Sequence, residues 1–158
     1  MKLKNSYIEK KIKEYGRDII SSDIFAKANR QTHHNTTTVG KHSLRVAWST
    51  VKICEFLIRH GIKIDERSAV RAALMHDLGI IGRHEKFSNS YDTSRRHPKE
   101  SLLIADKIEP QMSEGMRQAI ERHMFPVFAK PPTRPEAIVV CIADKIGALG
   151  DLIAKNKK

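Results

Sequence analysis

Cysteine is scarce in this chain. Only Cys54 (in VKICEFL) and Cys141 (in IVVCIAD) occur among 158 residues, and neither belongs to a CxxC pair. That excludes a closely spaced disulfide framework, and the apolar surroundings of both mark small core residues rather than ligands or nucleophiles. Aromatics are few as well, with one Trp, three Tyr and five Phe, and they form no stacking strip for single-stranded nucleic acid. No stretch approaches the roughly 18 uninterrupted apolar residues of a membrane span. The opening MKLKNSYIEKKIKEYG also lacks the apolar core of a signal peptide. The expectation is a cytoplasmic protein with no membrane partner. Long period-two runs of β-branched residues are missing too, which predicts an all-α fold, a single helical bundle. No internal repeat and no low-complexity segment stands out apart from the lysine-rich end.

What is present is the balance of a globular domain, 40% hydrophobic and 30% charged residues, at a length that fits one domain. Basic residues outnumber acidic ones, 29 to 18, for a formal charge of +11, and such an excess favours anionic partners. Much of it lies in MKLKNSYIEKKIK and AKNKK, where lysines commonly solvate a helix face or a terminus. The organisation expected is a helical extension over 1–33, the principal domain over 34–154 and a basic tail over 155–158.

Ile8, Ile12, Tyr15, Ile19 and Ile20 recur at helical spacing and predict one helix over about residues 4–28, with Gly16 as a point of breakage. A polar stretch over 29–40 leads into a helix that Gly61 ends. Asp65 suits the cap of the next, whose end at Gly79 places His76 and Asp77 in its last turn. Residues 80–96 read as a loop or lid. Pro98 suits the first turn of a helix, Ser113 caps another, and PVFAKPPTRP is an extended bridge. Thr133 and Glu136 then form a capping box for a last helix over about 135–154.

His76-Asp77 carries the most information, because it follows the apolar run AVRAALM, where a charge is normally excluded. An unpaired buried carboxylate costs several kcal/mol, and a divalent metal held by the adjacent imidazole removes that cost. Asp144 interrupts AIVVCIADKIGAL and poses the same problem. Taken singly, either acid could sit in a buried salt bridge, with Lys145 or Arg71 as partner. His42, His97 and His123 lie at expected helix ends, which converge where loops meet in a small bundle.

These residues resemble the HD superfamily of metal-dependent phosphohydrolases, whose order is His, His-Asp, then a distant Asp. That order reads here as His42 in KHSLRVA, His76-Asp77 in LMHDLG and Asp144 in CIADKIGA, spanning about residues 34–150. His97 in RRHPKES and His123 in ERHMFP match the six-ligand branch, and HPKES, RHMFP and the ADK helix look like strings of small bacterial HD proteins.

The resemblance implies two divalent transition metals, Fe, Mn, Zn or Ni. His42, His76, Asp77 and Asp144 would hold one, His97 and His123 the other, and Asp77 would bridge them. It implies hydrolysis of a small phosphorylated substrate, a nucleotide being the expected class, through a hydroxide shared by the metals. Asp77 and Asp144 are the catalytic candidates, Asp144 to orient the water or take its proton. Arg45, His34, His84, Arg95, Arg96 and Lys99 are the substrate-binding candidates, against simple surface charge or exposed loop histidines as the plainer reading. The chain continues HDLGII and has no GYP string, so it departs from the cyclic-dinucleotide phosphodiesterases of that branch. The alternatives are a di-iron oxygenase on the same scaffold and a non-catalytic nucleic-acid-binding protein. Nucleic acid is the less favoured partner, and a homo-oligomer is compatible with the sequence.

Overall fold

The computed structural model describes residues 2–33 and 37–155. Among them the chain forms α1 (Lys2–Ile20), α2 (Asp23–Ala28), β1 (Thr32–His33), β2 (Thr37–Thr38), α3 (Val39–Arg59), α4 (Glu66–Met75), a single 3-10 turn (Leu78–Ile80), α5 (Arg83–Lys86), α6 (Ser90–Ile108), α7 (Glu114–Glu121) and α8 (Pro135–Lys155). The all-α expectation holds, with one two-residue hairpin as the exception. No helix among the described residues is long and apolar enough to cross a membrane.

The core is organised around α4, which packs on α1, α3, α7 and α8. Nearly every residue of α4 is buried, so it is enclosed on all sides, as an apolar helix requires. Asp65 caps it as expected, its Oδ1 accepting from the Ser68 amide at 2.9 Å. The charges α4 carries inward are matched. Arg71 donates to Asp18 at 2.7 and 2.9 Å and to the Tyr15 carbonyl, and it also reaches Glu109. It is therefore not the counter-charge of the buried His-Asp pair. Glu66 accepts from Lys11 at 2.7 Å and from the Tyr15 hydroxyl, which ties α1 to α4. Cys54 is fully buried and Cys141 nearly so, both as free thiols. Burial pushes the Cys54 thiol up to about 12, so it is inert, as a core cysteine should be.

Four local expectations are corrected. The first helical run breaks at 21–22 into α1 and α2, because the Ser22 hydroxyl accepts from the Phe25 amide and starts a new helix; Gly16 is a kink within α1. Residues 80–96 are largely helical, since Asn89 accepts from the Asp92 amide at 2.9 Å and starts α6 well before Pro98. Pro98 thus lies inside α6 and gives up the bond to the carbonyl four residues back. Thr133 and Glu136 make other bonds than a capping box: Thr133 bonds Gln118, and Glu136 accepts from the Asp65 amide. The last of the four concerns Gly79, which lies within the 3-10 turn, while α4 ends at Met75.

Gly79 has a different task. A β-carbon there would collide with the His97 carbonyl and the Ser101 amide of α6, and the Gly79 amide donates to the Ser101 hydroxyl at 2.9 Å. This close approach holds the His76-Asp77 segment against the helix that carries His97. Gly79→Ala is expected to cost about 1–3 kcal/mol through overpacking against rigid backbone. Urea denaturation of the metal-free protein checks this; a midpoint unchanged from wild type would show that the contact is slack.

Candidate metal centre

Asp77 occupies the turn after α4, buried with only 3% of its surface exposed. Its two carboxylate oxygens face different imidazoles. Oδ1 lies 3.1 Å from His97 Nε2 and 3.4 Å from His123 Nε2. Oδ2 lies 3.3 Å from His76 Nε2, 3.6 Å from His33 Nε2 and 3.7 Å from His42 Nε2. Asp144, from the middle of α8, brings Oδ1 to 3.0 Å from His42 Nε2 and 3.6 Å from His76 Nε2. All six residues expected as ligands therefore meet at one place. His42 opens α3 and His123 follows α7, as expected, whereas His97 lies well inside α6.

The backbone decides which ring nitrogen faces inward. His76, His97 and His123 each donate Nδ1–H to a carbonyl of their own segment, Ala73, Thr93 and Ile120, at 2.8, 2.9 and 2.8 Å. Each ring then turns Nε2 toward the centre, the arrangement of metal-ligating histidines. His42 is oriented differently: its Nδ1 lies 2.8 Å from Asp151 Oδ2. Asp151 is buried and also ion-paired with Arg45. Gly147 makes room for this, because a β-carbon there would stand 3.3 Å from the His42 ring.

The donor set fits a cation. Two atoms bonded to one transition metal at about 2.1 Å stand roughly 3–4 Å apart, and the separations around Asp77 fall in that interval. His97 and His123 bring their Nε2 atoms to 2.9 Å from each other, which needs a proton or a metal between two lone pairs. His76 Nε2 is buried and meets no well-formed hydrogen bond. Burial by itself would lower the His76 pKa, but the adjacent Asp77 and Asp144 carboxylates overcome it and raise it to about 10. Burial would likewise raise Asp77 and Asp144. The charged His76 and the surrounding imidazole hydrogen bonds instead hold both well below the usual carboxylate value. His123 is pushed down by its burial. Both carboxylates are thus ionised and call for positive charge, which a divalent ion supplies without a buried proton.

A cleft of ≈ 690 Å³ opens over Asp77, Asp144, His97 and His123, a size suited to a small molecule. Of the proposed substrate contacts, His84 lines it, and His34 lies outside the described residues. Arg45 points behind the site to Asp151. Arg96 pairs with Asp92 at 3.2 Å and stands over the Phe87 ring, and Arg95 and Lys99 are exposed; none of these three is among the cleft-lining residues. Three residues missed in the sequence belong here. His33 and Arg83 line the cleft, and Asp151 holds His42. Lys145, considered there only as a partner for a buried acid, is that partner at 2.9 Å from Asp144 and also lines the cleft. Asp151 lies seven residues after Asp144 and so on the same face of α8, a spacing that could have pointed to it. Asp151→Ala is expected to weaken metal binding about 10–100-fold by releasing the His42 ring; titration with Mn(II) or Co(II) measures it, and wild-type affinity would exclude the orienting role.

Fold and donor set together define an all-helical protein with a buried histidine-aspartate centre able to hold a metal. The HD domain family matches residues 39–149, and the chain belongs to that family, whose members are generally metal-dependent phosphohydrolases. Among solved structures the chain is similar to a conserved hypothetical protein from Pyrococcus furiosus, with 21% identity and a TM-score of 0.55, over 83% of this chain and 80% of that one. That likeness concerns the fold. No curated protein matches the chain.

Proposed function

We propose that this protein is a metal-dependent phosphohydrolase acting on a small phosphorylated compound, with nucleotides the favoured class. His42, His76, Asp77 and Asp144 would hold one divalent transition metal, and His97, His123 and Asp77 a second. The observation that carries this reading is the division of the imidazoles between the two oxygens of Asp77, with His97 and His123 on Oδ1 and His42 and His76 on Oδ2. Such ions would make a bound water acidic enough to act near neutral pH and would draw charge from phosphoryl oxygens.

The remaining work falls to the protein. Asp144 directs Oδ1 toward the centre and Oδ2 toward Lys145, so its ionised carboxylate can orient a water or take its proton. The Lys145 Nζ spends two of its three donors on Asp144 and on the His123 carbonyl at 2.6 Å; the third is available to a phosphate oxygen in the cleft. Arg83 adds a positive charge and His84 an imidazole at the wall, while Ile80, Phe87 and Met124 supply an apolar side. A substrate with an anionic end and a flat apolar part matches that division, and the +11 charge favours its approach.

The test is metal analysis of the purified protein followed by a screen of nucleotides and phosphate esters with added Mn(II) or Fe(II). Phosphate release that requires metal but not oxygen is expected. Oxygen consumption coupled to turnover would transfer the assignment to an oxygenase, and salt-sensitive RNA binding without turnover would replace catalysis with a binding role.

A further inference from the structure

Resting on the metal-centre reading above, we propose that His33, from the hairpin between α2 and α3, is an additional metal ligand on the Oδ2 side of Asp77. The hairpin is only two residues on each strand, with His33 opposite Thr37 and Thr32 opposite Thr38. Strand alternation sends neighbouring side chains to opposite faces, and here Thr32 is exposed while His33 is buried, 6% exposed. The inward face is the metal centre. His33 Nε2 stands 3.6 Å from Asp77 Oδ2, and its ring lies 4.4 Å from that of His42, centroid to centroid. His33, His42 and Asp77 each offer a ligand atom, all within 4.8 Å of one another, a spacing that a single ion can join.

The hairpin is also anchored as a ligand-bearing segment must be. The Val39 amide donates to the Gln31 carbonyl at 2.9 Å, which closes the hairpin onto the start of α3. The Gln31 side chain accepts from the Gly82 amide at 3.1 Å, tying the hairpin to the segment that follows the His-Asp pair. His33 is therefore held two residues from Gln31, which bonds both the start of α3 and the segment leading to the cleft wall. Metal sites need ligands held to within a fraction of an ångström, and a loose surface hairpin would not provide that. The ion on the Oδ2 side would then have three histidines and two carboxylates, against two histidines and one carboxylate on the Oδ1 side. The two positions would differ in affinity and in room for substrate, the Oδ1 position being the more open.

Co(II) titration of the full chain, followed by visible absorption and by competition with a chelating dye, tests this. His33→Ala and His33→Gln are each expected to weaken one of two Co(II) equivalents at least tenfold and to change the intensity of its ligand-field bands, the other equivalent staying within about threefold. Free imidazole added to His33→Ala is expected to restore the bands, a response that packing alone would not give. Spectra and isotherms of both variants that superimpose on wild type would overturn the proposal, even with a raised KM, because His33 would then touch substrate and not metal. His42→Ala separates the two levels. If wild type binds Co(II), His42→Ala loses it and the His33 variants do not, the inference fails and the metal centre stands; if wild type binds none, both fall.

Discussion

Asp77→Asn is expected to remove at least one metal equivalent and to lower the proposed phosphohydrolase turnover by roughly 10³-fold or more. The amide keeps the size of the side chain but loses its charge, and its nitrogen is a donor, so one side of the centre would meet N–H where it needs a lone pair. Because Asp77 alone among the described residues faces His33, His42, His76, His97 and His123, no other described residue can replace it. Metal content by mass spectrometry and initial rates with saturating Mn(II) give the two readouts. A variant with full metal content and full turnover would place the chemistry elsewhere.

The second large effect is on stability. Two ionised carboxylates and a cluster of histidines are buried together, and without a metal ion they are countered by Lys145 beside Asp144 and by protonation at His76. Any ion that binds only the folded chain stabilises it by mass action, about 2.7 kcal/mol at a hundredfold excess over Kd. For a domain of this length each kcal/mol moves Tm by roughly 2–4 °C. Chelation is therefore expected to lower Tm by about 5–11 °C, and readdition of Mn(II) or Co(II) to restore it. The same shift is expected to be smaller in Asp77→Asn, in step with the metal that variant loses. Identical melting with and without chelator would show that the cluster is balanced without a metal ion.

Much of this centre was readable because burial and charge conflict. A His-Asp pair after AVRAALM and an aspartate inside AIVVCIADKIGAL have few stable explanations, and the structure brings both to one point. The Cys54 and Cys141 contexts were readable for the opposite reason, as small apolar groups in apolar runs. His33 was not legible: alternation over a two-residue strand is too short to set a register, so the histidine beside it was an equally good choice. Asp151 was obscured by the lysine-rich end it precedes, although its spacing from Asp144 placed it on the same helix face. Arg45 does share a face with His42, yet spacing along a helix cannot say which partner a long side chain takes, and the buried Asp151 carboxylate takes it. Residues 80–96 looked like a loop because Ser, Asn and Asp favour turns, but the same residues also start helices, and Asn89 does so here.

In the proposed centre one carboxylate, that of Asp77, joins two cations. Crystals grown with Mn(II), with anomalous data collected near the manganese edge, test it most directly. Two peaks are predicted, one within bonding distance of Asp77 Oδ1, His97 and His123, the other of Asp77 Oδ2, His42, His76 and Asp144. A map with no peak beside Asp77, or with manganese only at surface carboxylates, would contradict it.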